Sequence, residues 1–211
     1  MRGFGPFCLK ELNTSHSHLH WGHTGDLDYF THAELFLGPD SRVVLEDTYP
    51  SNPSSTILAF PKDIKTNFIN FADPQKYRKV APFGPYERAI DFFGDGSFYL
   101  VDSPGHMPGH LSAAARVAPD SFLFLASDTC HNRLCYDPGE RLSSEHEHQD
   151  IVTARKTVEW LATLNREYLN TVVVLAHETE RVHEMPFFPD ADLTQWVLEE
   201  ITKKGKGEQE L

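Results

Sequence analysis

The segment Ser17-His18-Leu19-His20-Trp21-Gly22-His23-Thr24-Gly25-Asp26 constrains this chain more than any other, because three imidazoles crowd into six residues just ahead of a Gly-Asp turn. Such a density of nitrogen donors is best explained by a metal, so the fold must deliver the segment to a place where an ion can sit. His18 and His20 alternate with an apolar residue. At a strand end or in an extended loop they therefore point the same way, as two ligands of one ion must. His23 sits round the next bend, placed to face a second ion.

Three further segments put a ligand-type residue at the end of an apolar, strand-like run, where Gly or another small residue lets a loop approach an ion. They are Ser103-Pro104-Gly105-His106-Met107-Pro108-Gly109-His110 after a run ending at Val101, Ala126-Ser127-Asp128 after Phe122–Leu125, and Ala176-His177-Glu178 after Val172–Val174. Strands converging on one edge would bring His18, His20, His23, His106, Asp128 and His177 together. That set is nitrogen-rich, with one carboxylate able to bridge two ions; it suits zinc best, with iron or manganese as alternatives.

The rest of the chain reads as a mixed α/β or α+β protein without internal repeats. A short helix is expected over Asp26–Phe30 and a strand over Ala33–Leu37, ended by Gly38-Pro39. From there to Pro85 the chain is rich in Pro, Asn, Asp and Ser and is expected to be mostly loop, of the kind that covers or lines a site. Runs at Ala89–Phe93, Ser97–Val101, Leu111–Val117 and Phe122–Ala126, punctuated by turns such as Gly94-Asp95-Gly96, suggest an antiparallel meander. Helical spacing over Ile151–Asn165, a continuous apolar run at Thr171–Ala176 and a closing helix at Asp192–Lys203 complete the pattern.

A chain of 211 residues that is 40% hydrophobic can bury an ordinary core and is expected to form a single domain over 1–211. The formal charge of −12 and pI near 5.4 repel phosphate backbones and anionic membranes, which argues against nucleic acid and membrane partners and leaves a small-molecule substrate. No run approaches the roughly 20 apolar residues of a membrane span. Met1–Pro6 has no apolar core of a signal peptide, and Cys8, Cys130 and Cys135 are too sparse for a disulfide framework, so a cytoplasmic protein is expected. Oligomeric state is not legible. Gly-x-Ser-x-Gly elbows and Walker loops are absent, which disfavours serine hydrolases and nucleotide enzymes. His16, His32, His146, His148 and His183 read as solvated, and Cys130 and Cys135 as small semi-buried thiols.

The ordered set of four motifs resembles the metallo-β-lactamase superfamily, from about Ser15 to His177. Thr24-Gly25-Asp26 and His106-Met107-Pro108-Gly109-His110 resemble its lactonase and lactamase-like branch, including fungal relatives. The resemblance implies an αββα sandwich and one or two zinc ions per chain. It assigns His18, His20 and His106 to a first ion, His23 and His177 to a second, and Asp128 to a bridge between them. His110 would hold the His106 loop, and Asp26 would order the turn behind the cluster. Two departures are visible. The family pattern is His-x-His-x-Asp-His, and this chain has Gly22 where the aspartate belongs, so the second ion is expected to bind more weakly. Only seventeen residues precede His18, where family members carry several strands, so the N-terminal sheet is expected to be incomplete.

The implied activity is metal-dependent hydrolysis of a lactone or lactam ring by a metal-bound hydroxide, with Asp128 orienting the nucleophile or moving a proton. A thioesterase-like hydrolase of the same fold is the nearest alternative, and sulfur-oxidising iron members stand further off. Gly22 and the short N-terminus also motivate a non-catalytic metal-binding relative. The lactonases place a tyrosine shortly after the bridging aspartate; here Thr129-Cys130-His131 follows, and His131 is a candidate donor to the substrate carbonyl.

Overall fold

The computed structural model describes residues 13–30, 33–61, 63–73, 80–187, 189 and 191–207. Cys8 and His32 lie outside the described residues. Among those described, the strands fall into two sheets. The smaller is parallel, in the order β1 (Asn13–Ser15), β2 (Glu34–Leu37), β3 (Lys65–Phe68). Between its strands lie two single-turn helices, α1 (Trp21–Thr24) and α2 (Ser41–Val44), and a 3-10 turn at Leu27–Phe30. The larger sheet has six strands in sequence order: β4 (Val80–Phe83), β5 (Tyr86–Asp91), β6 (Phe98–Asp102), β7 (Leu111–Ala118), β8 (Ser121–Ser127) and β9 (Thr171–Leu175).

The meander read from the sequence is present: β4 to β8 pair antiparallel, and β9 then joins β8 in parallel after the helix α3 (Ile151–Glu167). Asp150 caps α3, its carboxylate accepting from Thr153 N at 3.1 Å. The stretch before Pro85 is not all loop, since β3 and β4 both form there. Both are four-residue edge strands, and an edge position is what allows Pro82 inside β4.

Alternation along the strands sorts the core into layers. On one face of the larger sheet, Ala89, Val101, Phe124 and Val173 pack against Val158, Leu161 and Leu164 of α3. On the other, Ile90 and Leu100 meet Phe36 of the smaller sheet, and Leu123 and Val172 meet Trp196 and Val197 of the last helix, α4 (Thr194–Gly207). The far face of β2, Leu35 and Leu37, packs with Leu19, Ile57 and Met107. The result is the mixed α/β sandwich of the expected class. Part of its inner surface is open: Leu125 is 40% exposed although β8 is an interior strand. With Val174 and Ala113 it lines a cavity of about 410 Å³ that reaches Ser17 and His23. Among the described residues no helix is long and apolar enough to cross a membrane.

This topology fixes where loops emerge. Strands β6 and β8 run the same way, each being antiparallel to β7, and β9 is parallel to β8. The loop after Asp102, the residue after Ser127 and the turn after Leu175 therefore share one edge of the sheet.

Candidate metal centre

The histidine segment reaches that edge by two contacts. Leu111 N, at the start of β7, donates to Ser17 O at 2.7 Å, and Ser127 Oγ, at the end of β8, donates to Ser17 Oγ at 2.8 Å. Leu19 then turns into the core, 1% exposed, which throws His18 and His20 to the opposite side. Trp21 N bonds Thr56 O at 3.1 Å and His23 N closes a turn on His20 O at 2.8 Å, so His23 is carried round by α1. The second loop is held by α3, where Asp150 N and Gln149 N donate to Gly105 O and His106 O at 3.0 and 2.9 Å. Gly105 is needed there. Its φ is +123°, and a Cβ on it would stand 2.3 Å from Ala154 N.

His110 ties this loop to β8. Its Nδ1 donates to Ser103 O at 2.7 Å, which fixes the tautomer and leaves Nε2 to accept Asp128 N–H at 3.2 Å. Burial pushes its pKa down to about 4, so the ring is neutral. After β9, the buried Glu178 accepts from Arg181 Nε at 3.1 Å and orders the turn carrying His177.

Asp128 is the focus of the cluster. Among the described residues, five imidazoles present Nε2 to its Oδ2: His131 at 3.2 Å, His177 at 3.3 Å, His23 at 3.4 Å, and His18 and His106 at 3.6 Å. His20 reaches the same place through Nδ1, 3.1 Å from His106 Nε2. Every residue of the expected set is thus brought to one locus. Asp26 is not: it is exposed and caps the turn at Leu27–Phe30, accepting from Asp28 N at 3.0 Å.

Burial sets the protonation state of these imidazoles. Burial, together with the neighbouring rings, drives the pKa of His18 far down and that of His106 to about 2, and burial also lowers His20, so all three are neutral with free lone pairs. Burial by itself would raise Asp128, but the hydrogen bond from His131 and the surrounding imidazoles outweigh it and hold the carboxyl well below its usual range. His18 Nε2 and Asp128 Oδ1 are buried with no hydrogen-bond partner among the described residues. A carboxylate oxygen has only about two lone-pair directions, so it cannot accept from five rings. Two nitrogens each about 2.0–2.1 Å from a tetrahedral zinc lie roughly 3.3 Å apart, close to the 3.1 Å between His20 and His106. The residues fit an ion. The inner side, His18 and His106, is sealed at 0% and 4% side-chain exposure, whereas His23 (20%), His131 (19%) and His177 (50%) open to solvent.

The neighbourhood holds more than the sequence indicated. His148 is buried, not solvated, with its ring 5.4 Å from that of His106 and 5.7 Å from that of His131. Glu147 places Oε2 3.3 Å from His131 Nδ1. The signal available was the dense His146-Glu147-His148 triplet, but the irregular backbone from Asn132 to Asp150 gave no period from which to place it. Cys130 is buried, Cys135 is partly so, and both are free.

No family model matches the chain. A cytochrome P450 monooxygenase, mpaDE of Penicillium roqueforti, is 34% identical over 216 residues, covering 90% of this chain and 24% of that protein. The gamma-lactamase MBL2 of Gibberella moniliformis is 37% identical over 123 residues, 55% of this chain and 48% of its own length. The chain thus spans about a quarter to a half of the curated relatives it matches. A solved N-acyl homoserine lactone hydrolase, with N-hexanoyl-L-homoserine at its catalytic metal centre, superposes with a TM-score of 0.62 at 16% identity over 84% of this chain and 60% of that one.

Proposed function

We propose that the chain is a member of the metallo-β-lactamase superfamily, in its lactonase and lactamase-like branch, and that it is a zinc-dependent hydrolase that opens a lactone or lactam ring in a small molecule. One observation carries the proposal: His18, His20 and His106 bring ring nitrogens within 4.8 Å of one another, and the Asp128 carboxylate lies 3.6 Å from His18 Nε2 and from His106 Nε2, too far for hydrogen bonds and close enough to share an ion. Three neutral nitrogens and a carboxylate suit zinc. His18, His20 and His106 would hold one ion, His23 and His177 would take part in a second, and Asp128 would serve both. A bound ion supplies Lewis acidity and lowers the pKa of water from about 15.7 toward about 7.

The protein's own groups do the rest. Asp128, kept ionised, holds its carboxylate at the centre of the cluster, and His110 fixes its backbone through the Asp128 N–H. His18 and His106 stay neutral because burial disfavours their charged form. His177 and His23 form the solvent-facing side by which a ring carbonyl can enter. Free Cys130 and Cys135 suit a reducing, cytoplasmic setting, and we take residues 1–211 as one catalytic unit.

The test is acid release from a panel of γ-lactams, lactones and acyl thioesters by purified, zinc-loaded protein. Ring opening that chelation abolishes and zinc restores is the expected result. Turnover of thioesters alone would move the assignment to the thioesterase alternative, and metal binding without any turnover would favour a non-catalytic relative.

A further inference from the structure

Gly22 deprives the second ion of the carboxylate its neighbours in the pattern would lead one to expect, and the structure offers a substitute from another segment. His131, three residues past Asp128, brings Nε2 to 3.2 Å from Asp128 Oδ2, nearer than any of the other four rings. Its ring lies 4.7 Å from that of His177 and 5.3 Å from that of His106. The opposite nitrogen, Nδ1, faces Glu147 Oε2 at 3.3 Å, and Glu147 sits on a 3-10 turn whose start is pinned by Ser144 Oγ accepting from His146 N at 3.3 Å. Nδ1 makes no hydrogen bond among the described residues, so Glu147 acts on the ring through its charge at the outer nitrogen, while the inner nitrogen stands at the shared carboxylate.

Resting on the zinc reading above, the geometry points to His131 as a protein ligand of the second ion, beside His23, His177 and Asp128, with Glu147 as the carboxylate that faces its outer nitrogen. Three considerations carry this. The first ion already has His18, His20 and His106, so a further imidazole there is surplus. Oδ2 of Asp128 cannot accept hydrogen bonds from every ring around it. Glu147 also returns a negative charge to a site that Gly22 leaves short of one, at the outer edge of His131 instead of on the ion itself. The 3.2 Å contact between His131 and Asp128 is then the approach of two ligands of one ion.

The experiment is cobalt titration of metal-free full-length protein, with stoichiometry by elemental analysis and the ligand-field absorption band as the readout, so that no turnover is needed. Wild type should bind two equivalents. His131→Ala should bind one and lose the band of the weaker site, and His131→Asp, which supplies a carboxylate from the same loop, should recover it. Glu147→Gln should keep both ions but weaken the second by about tenfold to a hundredfold. Circular dichroism checks each fold, and if His131→Ala does not fold, the Asp and Gln variants decide. Retention of two ions with unchanged affinity in His131→Ala, loss of the tighter ion instead, or a single ion in both wild type and variant would overturn the assignment of His131 while leaving a metal hydrolase standing. Absence of any ion in folded wild type would overturn the zinc proposal itself.

Discussion

Replacing His110 tests the frame of the centre separately from its ligands. The ring is 1% exposed and bonds two backbone groups, Nδ1–H to Ser103 O at 2.7 Å and Nε2 from Asp128 N at 3.2 Å. His110→Ala leaves a buried carbonyl and a buried amide, at roughly 1–3 kcal/mol each, so metal-free protein should lose about 2–6 kcal/mol in a denaturant titration. A second measurement isolates the titration of the ring. The unfolded chain binds a proton on His110 near pH 6.5, whereas the native ring resists protonation down to about pH 4. Stability from this group is therefore full above pH 6.5 and falls as pH drops through the window to about 4. At about 1.36 kcal/mol per unit the loss approaches roughly 3 kcal/mol. His110→Asn keeps a donor for Ser103 O but cannot titrate, so its stability should decline less steeply over that window, by up to one proton's worth of slope. An alanine variant within about 0.5 kcal/mol of wild type, or an asparagine variant with an unchanged slope, would refute the fixed neutral tautomer.

Three other outcomes are expected. His106→Ala should remove the first ion and all ring opening, whereas His146→Ala, on an exposed position, should alter neither; zinc analysis and acid-release assays compare them. Gly22 has no left-handed φ and a Cβ on it meets nothing within 4 Å, so Gly22→Asp should fold with stability within about 0.5 kcal/mol of wild type and bind the second ion more tightly by cobalt titration; the same change should restore that ion to His131→Ala. Chelation should lower the melting temperature of the loaded protein, and zinc at a hundred times its dissociation constant should recover about 2.7 kcal/mol of stability. An unchanged melting temperature after complete metal removal would contradict coupling of the ion to the fold.

Most of the cluster around Asp128 is legible in the sequence because its residues follow local signals. Alternation around Leu19 aims His18 and His20, and the apolar runs before Asp128 and His177 end where loops must begin. That β6, β8 and β9 finish at one edge is not in any local pattern, although the meander and the single long helix before Thr171 imply it. The failures have a common physical cause. β3 (Lys65-Thr66-Asn67-Phe68) and β4, with Pro82 inside it, are short edge strands whose side chains are set by one neighbour, so composition hides them. His148 and Glu147 are placed by the return of the chain from Asn132 to α3, a path made of 3-10 turns and capped bends with no period to detect. Burial there comes from tertiary contact alone.

The histidine segment leaves the small sheet, and the remaining donors belong to the large one, with His20 and His106 meeting across 86 positions of chain. A proposed ion at their junction would therefore be a clasp between two layers that, among the described residues, otherwise meet through side-chain packing and the few bonds around Ser17. Emptying it should loosen the joint before it unfolds either sheet. In amide exchange, the first protons to quicken on metal removal should be Leu111 N and Asp128 N, while those at the centre of β6 and β7 keep the protection of the whole fold.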